Sequence, residues 1–210
     1  MDVYTVTVGK IIPTNAYFYI DERTKHGFLI DAGDEADVLM KKISDNGWTI
    51  EKILLTHGHF DHIGAVEKLS QKLNVPYYIH QNGRQYLTDA NYNLSARFGE
   101  PIELMDARYF VDGDKIALKT AENTTLKVLH TPGHTADSVV LYDEESGIAF
   151  CGDTIFKSSI GRTDVPGGSS QQLWRSIEKK IFTLPKQTVL YSGHTAPTTV
   201  GAEQNFWQKI

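Results

Sequence analysis

Thr56-His57-Gly58-His59-Phe60-Asp61-His62 follows directly on the apolar run Ile53-Leu54-Leu55 and gathers three histidines and an aspartate within six positions. Imidazole is the commonest biological metal ligand, and a carboxylate beside it hardens a site towards zinc, iron or manganese. In extended chain, side chains two apart share a face, so His57 and His59 point the same way as the chain leaves a strand. Asp61 and His62 then arrive from the start of the following helix. The spacing predicts one ion served by His57 and His59 and another served by Asp61 and His62. Gly58 is expected to let the backbone fold closely around the ions. A loop of solvated histidines is the competing reading. Four ligands in six residues at a strand exit tell against it.

Working outward, alternating hydrophobicity predicts short antiparallel strands at residues 3–8, 17–20 and 28–30. Asp34 is expected to cap a helix whose apolar face is Ala36, Leu39, Met40 and Ile43, closed by Gly47. A strand at 50–55 delivers the histidine loop, and a helix over 64–73 follows with Val66, Leu69 and Leu73 inward. A strand at 75–79 and a short helix over 81–88 come next. Residues 89–101 are polar and aromatic without a clear period, and are read as a loop bordering a substrate cleft. Strands at 109–111 and 115–118 are expected to form a hairpin through Asp112-Gly113-Asp114. A strand at 125–129, a hairpin of 139–142 with 148–151, a helix over 170–182 and a strand at 188–191 complete the chain. No linker, repeat or low-complexity tract interrupts residues 1–210, which predicts a single domain.

Further ligands stand where other strands run out into glycine-containing loops: His134 after Pro132-Gly133, Asp153 after Cys151-Gly152, and His194 after Ser192-Gly193. Loops at one edge of a sheet converge in space, so these residues are candidates to complete the two sites. A carboxylate can bridge two cations, which makes Asp153 the candidate bridge. Of the remaining histidines, His26 is read as solvated and His80 as an ordinary core or surface histidine. His130, four residues before His134, is left outside the site.

The net charge of −5 offers no overall basic field to nucleic acid or an anionic membrane. The single cysteine, Cys151, excludes an intramolecular disulfide. The first residues lack the basic start and apolar run of a signal peptide, and no apolar stretch approaches the roughly 20 residues of a membrane span. A soluble cytoplasmic protein is the expectation.

The combination of residues 56–62 with Pro132-Gly133-His134-Thr135, Gly152-Asp153-Thr154 and Gly193-His194 resembles the metallo-β-lactamase-fold hydrolases. Within them it most resembles the glyoxalase II-like thioesterases (hydroxyacylglutathione hydrolases), over nearly the whole chain. The resemblance implies an α/β fold, an αββα sandwich of two mixed β-sheets flanked by helices with metals at one edge. It implies two divalent ions, zinc first, with iron or manganese as alternatives. His57, His59 and His134 would hold one ion, and Asp61, His62 and His194 the other, with Asp153 bridging. The implied reaction is cleavage of a hydroxyacylglutathione-type thioester by a metal-bridging hydroxide, which Asp61 would also orient.

Arg162, in Gly161-Arg162-Thr163-Asp164, matches the place where glyoxalase II enzymes set a basic side chain on the glycine carboxylate of glutathione; a surface pair with Asp164 is the alternative. The implied partner is a small-molecule thioester, with neither nucleic acid nor membrane, and the oligomeric state stays open. Glyoxalase II proper continues after its last metal histidine into a helical, glutathione-binding segment. This chain departs from that pattern, so a short single-domain form is expected and glutathione specificity stays open. Phe206 and Trp207 would either cover the cleft or dock the chain end. A persulfide dioxygenase with one iron on His57, His134 and Asp153 is the principal alternative, and a lactonase of the same fold is another. A true β-lactamase is set aside for want of an export signal, nucleic-acid processing for the acidic charge, and a non-catalytic module because no ligand is lost.

Overall fold

Alternation along the strands sorts the apolar side chains into three layers, and those layers set the architecture of the computed structural model, which describes residues 1–120 and 125–209. The first sheet runs β1 (Asp2–Val8), β2 (Thr14–Asp21), β3 (His26–Ile30), β4 (Thr49–Leu54), β5 (Tyr77–His80) and β6 (Arg108–Phe110), in that spatial order. Its first three strands are antiparallel and the rest parallel. Crossovers through α1 (Ala36–Asn46) and through α2 (Phe60–Ile63) with α3 (Val66–Leu73) make the parallel pairing feasible.

The second sheet begins with β7 (Lys115–Ala117), β8 (Thr125–His130), β9 (Val139–Asp143) and β10 (Ile148–Gly152). The chain then makes a small hairpin of β11 (Ile155–Phe156) and β12 (Ser159–Ile160). It returns through α4 (Ser170–Ser176) to β13 (Val189–Ser192), β14 (Thr198–Thr199) and α5 (Val200–Trp207). Here β10 pairs β13 in parallel and all other neighbours are antiparallel. Both sheets are therefore mixed.

Period-2 side-chain direction assigns each strand residue to a layer. Phe18, Ile20, Leu29 and Ile53 pack under Leu39 and Ile43 of α1 and Val66 and Leu69 of α3. Their neighbours Tyr17, Tyr19, Phe28, Ile30 and Leu54 face the other way, against Leu126, Val128, Leu141 and Phe150 of the second sheet. Val140, Tyr142, Ala149 and Leu190, on that sheet's outer face, lie under Leu173, Ile177 and Ile181. The result is the αββα sandwich expected from the sequence. Tyr19 Oη spans the central layer and donates to Asp143 Oδ2 at 2.5 Å. Among the described residues no helix is long and apolar enough to cross a membrane.

Several local expectations are corrected. The turn at Asp112-Gly113-Asp114 is real, since Asp114 Oδ2 accepts from Val111 N at 2.9 Å, but it joins no hairpin. β6 pairs with β5 in the first sheet and β7 with β8 in the second, so this turn carries the chain between sheets. Asp34 does not cap α1: its carboxylate accepts only from Glu35 N, while Glu35 occupies the cap position in left-handed backbone. The helix expected over 64–73 is present as α3, starting at Val66, and the separate short α2 that carries Asp61 and His62 precedes it. His26 is not merely solvated, because its Nδ1 lies 2.9 Å from Glu51 Oε1. Trp207 docks edge-on against Trp174, with ring centroids 4.8 Å apart, and so anchors the chain end.

His80 is buried and stacks face to face on His130, with centroids 4.0 Å apart. Burial, and then the neighbouring imidazole, bring its pKa down from 6.5 to about 4. The unfolded chain therefore binds a proton in this window that the folded chain refuses, so stability falls as pH drops through it. The loss is at most about 1.4 kcal/mol per pH unit. Urea midpoints at pH 7 and pH 5 should fall further apart in the wild type than in His80→Gln. Equal pH sensitivity of the two proteins would contradict this assignment.

Candidate metal centre

β4 delivers the histidine loop to the edge where the second sheet also ends. Val139 N donates to Thr56 O at 2.8 Å, tying this loop to the start of β9. Gly193 N donates to Gly152 O at 2.9 Å, which sets the loops bearing Asp153 and His194 side by side. Gly152 lies at φ +47, and a Cβ there would run into the Thr56 side chain. Only glycine fits that crossing without strain.

The structure brings all the sequence-expected ligands together. In one group, His57 Nε2 lies 3.2 Å from His59 Nδ1, which lies 2.9 Å from His134 Nε2. In the other, Asp61 Oδ2 lies 3.6 Å from His62 Nε2 and 3.4 Å from His194 Nε2. Asp153 touches both groups: its Oδ2 is 3.5 Å from His134 Nε2 and 3.2 Å from His194 Nε2, and its Oδ1 is 3.4 Å from His62 Nε2. Among the described residues, three sets of ligand atoms lie close enough to hold an ion: His57, His59 and His134; His57, His62 and Asp153; and Asp61, His62 and His194.

Each ring's direction has a cause. His134 Nδ1 donates to Arg162 O at 2.7 Å and His194 Nδ1 to Pro13 O at 2.9 Å, leaving both Nε2 lone pairs turned inward. Asp31 Oδ2 accepts from His62 Nδ1 at 2.9 Å and from Thr56 Oγ1 at 2.7 Å, and Thr56 Oγ1 in turn stands 3.2 Å from His57 Nδ1. Thr14 Oγ1 donates to Asp61 Oδ2 at 3.0 Å. Such outer partners fix tautomer and ring orientation in metal sites. Asp31 and Thr14 were not foreseen from the sequence. The one local signal for Asp31 is a polar residue ending a buried strand, in left-handed backbone at φ +56.

The donors suit divalent ions. Among the described residues, His62 Nε2 and Asp153 Oδ1 are buried without a hydrogen-bond partner, although they face the same space. A buried polar atom left unsatisfied is costly, and a cation between these atoms removes that cost. Burial, and then the neighbouring imidazoles, hold His57 and His59 well below the ordinary histidine range. Burial works against ionisation of Asp153, but His62, His194 and His134 keep its carboxyl well below the usual carboxylate range. Neutral His57 and His59 beside an ionised Asp153 are in the forms that bind metal. Burial opposes a charge on His62, but the carboxylates of Asp61, Asp31 and Asp153 hold it well above the ordinary histidine range, so an ion there must displace its proton.

Gly58 serves a purpose other than the one expected. A Cβ there would strike Tyr86 and come within 3.4 Å of Asp137 Oδ2, so the glycine admits a packed side chain rather than the ions. Burial pushes the Asp137 carboxyl up to about 7. His26, His80 and His130 lie outside the ligand groups, although His130 Nε2 donates to Ala136 O in the loop after His134. The Arg162 guanidinium makes a two-pronged pair with Asp164, both contacts 2.7 Å, on the surface beside the centre.

Comparison with known proteins places this geometry in context. The model of the metallo-beta-lactamase superfamily matches residues 10–194. The probable metallo-hydrolase YqgX of Bacillus subtilis is 37% identical over 92% of this chain and 90% of its own. The hydroxyacylglutathione hydrolase GloC of Haemophilus influenzae is 32% identical over 93% of this chain and 94% of its own. Among solved structures, the BLEG-1 B3 metallo-beta-lactamase superposes with a TM-score of 0.90 at 37% identity, covering 97% of both chains. TTHA1623 in a di-iron-bound form gives 0.86 at 34% identity, covering 97% of this chain and 98% of that one. ETHE1 from Myxococcus xanthus gives 0.78 at 25% identity, covering 98% and 83%.

Asp31 supports ligands of both groups from behind, and Asp31→Asn removes the charge that orients His62. Metal affinity measured by chelator competition is expected to fall about 10–100-fold, most steeply for the ion on Asp61, His62 and His194. An unchanged affinity would show that Asp31 does not position these ligands.

Proposed function

The chain belongs to the metallo-β-lactamase superfamily, and on that premise we propose that it is a dinuclear metal-dependent hydrolase, a thioesterase acting on hydroxyacylglutathione-type substrates with two zinc ions. The observation that carries this reading is Asp153, whose carboxylate touches His134 of one ligand group and His62 and His194 of the other. A bridge between two complete groups is the arrangement a two-metal hydrolase needs. The similarity to GloC supports the thioester as substrate.

His57, His59 and His134 would hold one ion, and Asp61, His62 and His194 the other. When bound, such a pair supplies a hydroxide near neutral pH and polarises the carbonyl to be attacked. The chain's own residues do the rest. Asp61, fixed by Thr14, accepts a hydrogen bond from the attacking water and sets its direction. A thiol leaving group of ordinary pKa near 8.5 departs as the anion, so no dedicated proton donor is required.

Arg162 is the proposed contact for a carboxylate of the thiol carrier, which the guanidinium can grip with two parallel hydrogen bonds. Its present partner Asp164 is exposed, and an exposed pair is cheaply exchanged. The partner is a small-molecule thioester, since a net charge of −5 supplies no basic field for nucleic acid.

A second reading is favoured by the likeness to ETHE1: a persulfide dioxygenase with one iron on His57, His134 and Asp153. Chelated protein reloaded with zinc or iron should hydrolyse lactoylglutathione and take up no oxygen with glutathione persulfide. His59→Ala should lose metal and hydrolysis together, by more than the roughly 10–100-fold cost of losing an outer partner. Full hydrolysis by metal-free protein would overturn the mechanism. Oxygen uptake with one iron per chain would transfer the function to the dioxygenase.

A further inference from the structure

A cleft of about 220 Å³ opens beside Asp61, between the turn at residues 9–12 and the segment 95–102. Ile11, Ile12, Phe60, Phe98 and Ile102 form its apolar walls. Phe60 and Phe98 stack with centroids 4.8 Å apart and planes within 17°. Ile11 and Phe98 remain 59% and 41% exposed. Large apolar groups left exposed together commonly mark a binding site.

The walls are built in advance rather than moulded by a ligand. Buried Asn93 donates to Tyr86 O and Ile102 O, both at 2.8 Å, and accepts from Ser95 N at 2.9 Å. Phe60 N donates to Asn93 O at 2.9 Å, and Ile102 N to Ser95 Oγ at 2.9 Å, fastening the Phe60 and Ile102 walls to one segment, while Gly9 N on the opposite side donates to Glu35 Oε2 at 3.0 Å. Among the described residues, the charged ones lining the cleft are acidic: Asp34, Asp61 and Glu100. The two ends of the centre therefore differ. Arg162 adjoins the first ligand group through His134, whereas the apolar cleft, with Asp34 and Glu100 on its wall away from the ligands, adjoins the second through Asp61.

We propose that this cleft seats the acyl group of the substrate and selects an uncharged, apolar chain, while the thiol carrier extends towards Arg162. The proposal rests on the thioesterase reading for the reaction, but the cleft's preference can be measured without turnover. An apolar pocket should improve binding about fourfold for each methylene buried.

The metal-loaded protein would be given acetyl, butanoyl, hexanoyl and glutaryl thioesters of one thiol. In parallel, calorimetry would measure affinity for the matching ketones, in which CH₂ replaces the thioester sulfur so that no cleavage follows. The expected result is an affinity and a kcat/KM that climb from acetyl to hexanoyl, with glutaryl weakest. Phe98→Ser should flatten the climb, and Glu100→Lys should raise glutaryl alone. Ketone affinity independent of chain length, or glutaryl preferred by the wild type, would overturn the proposal whether or not thioesters are cleaved. Graded ketone binding without cleavage of any thioester would uphold the cleft and overturn the thioesterase reading.

Discussion

Asp153 lies where two clusters of imidazoles would otherwise confront one another across a buried space. Among the described residues its Oδ1 has no hydrogen-bond partner, and neither does His62 Nε2, 3.4 Å away. Such a concentration of inward-facing lone pairs is unfavourable in a protein interior unless a cation occupies it. Much of the surrounding structure serves to impose it. Glycine at 152 allows the loop to cross Thr56, and Asp31 anchors Thr56 and His62 together. The carbonyls of Arg162 and Pro13 turn His134 and His194 inward.

The sandwich explains why residues so distant in sequence can meet. β4, β8, β10 and β13 each lead into a ligand-bearing loop, and the central layer of Tyr17, Tyr19, Phe28 and Phe150 fixes one sheet against the other. Val139 N to Thr56 O then joins the two sheets beside the site. Local stability is thus spent on holding one edge in register, where the loops are the functional part.

Much of this is legible in the sequence. Three histidines and an aspartate in residues 56–62 announce a site because the ligands are local and their types are chemically restrictive. The layered sandwich is implied by the family resemblance, whereas Tyr17, Phe18, Tyr19 and Ile20 are an unbroken apolar run whose alternation between two layers appears only in the folded strand. Other features depend on partners that periodicity does not reveal. Asp112-Gly113-Asp114 has the composition of a hairpin turn, yet whether it joins neighbours or bridges two sheets is decided by strand pairing. Asp31 acts on His62, 31 residues on, and His26 on Glu51, 25 residues on; a polar residue at a buried strand's end marks Asp31, but nothing local names the partner of either. Gly58 does mark a place of close approach, but the group approaching is Tyr86 rather than the ions.

The most direct measurement is an anomalous-scattering map from crystals of the protein loaded with zinc or iron. Two peaks roughly 3.5–4 Å apart are expected, one against His57, His59 and His134, the other against Asp61, His62 and His194, with Asp153 touching both. A single peak at full occupancy under excess metal, or peaks away from these residues, would contradict a dinuclear centre.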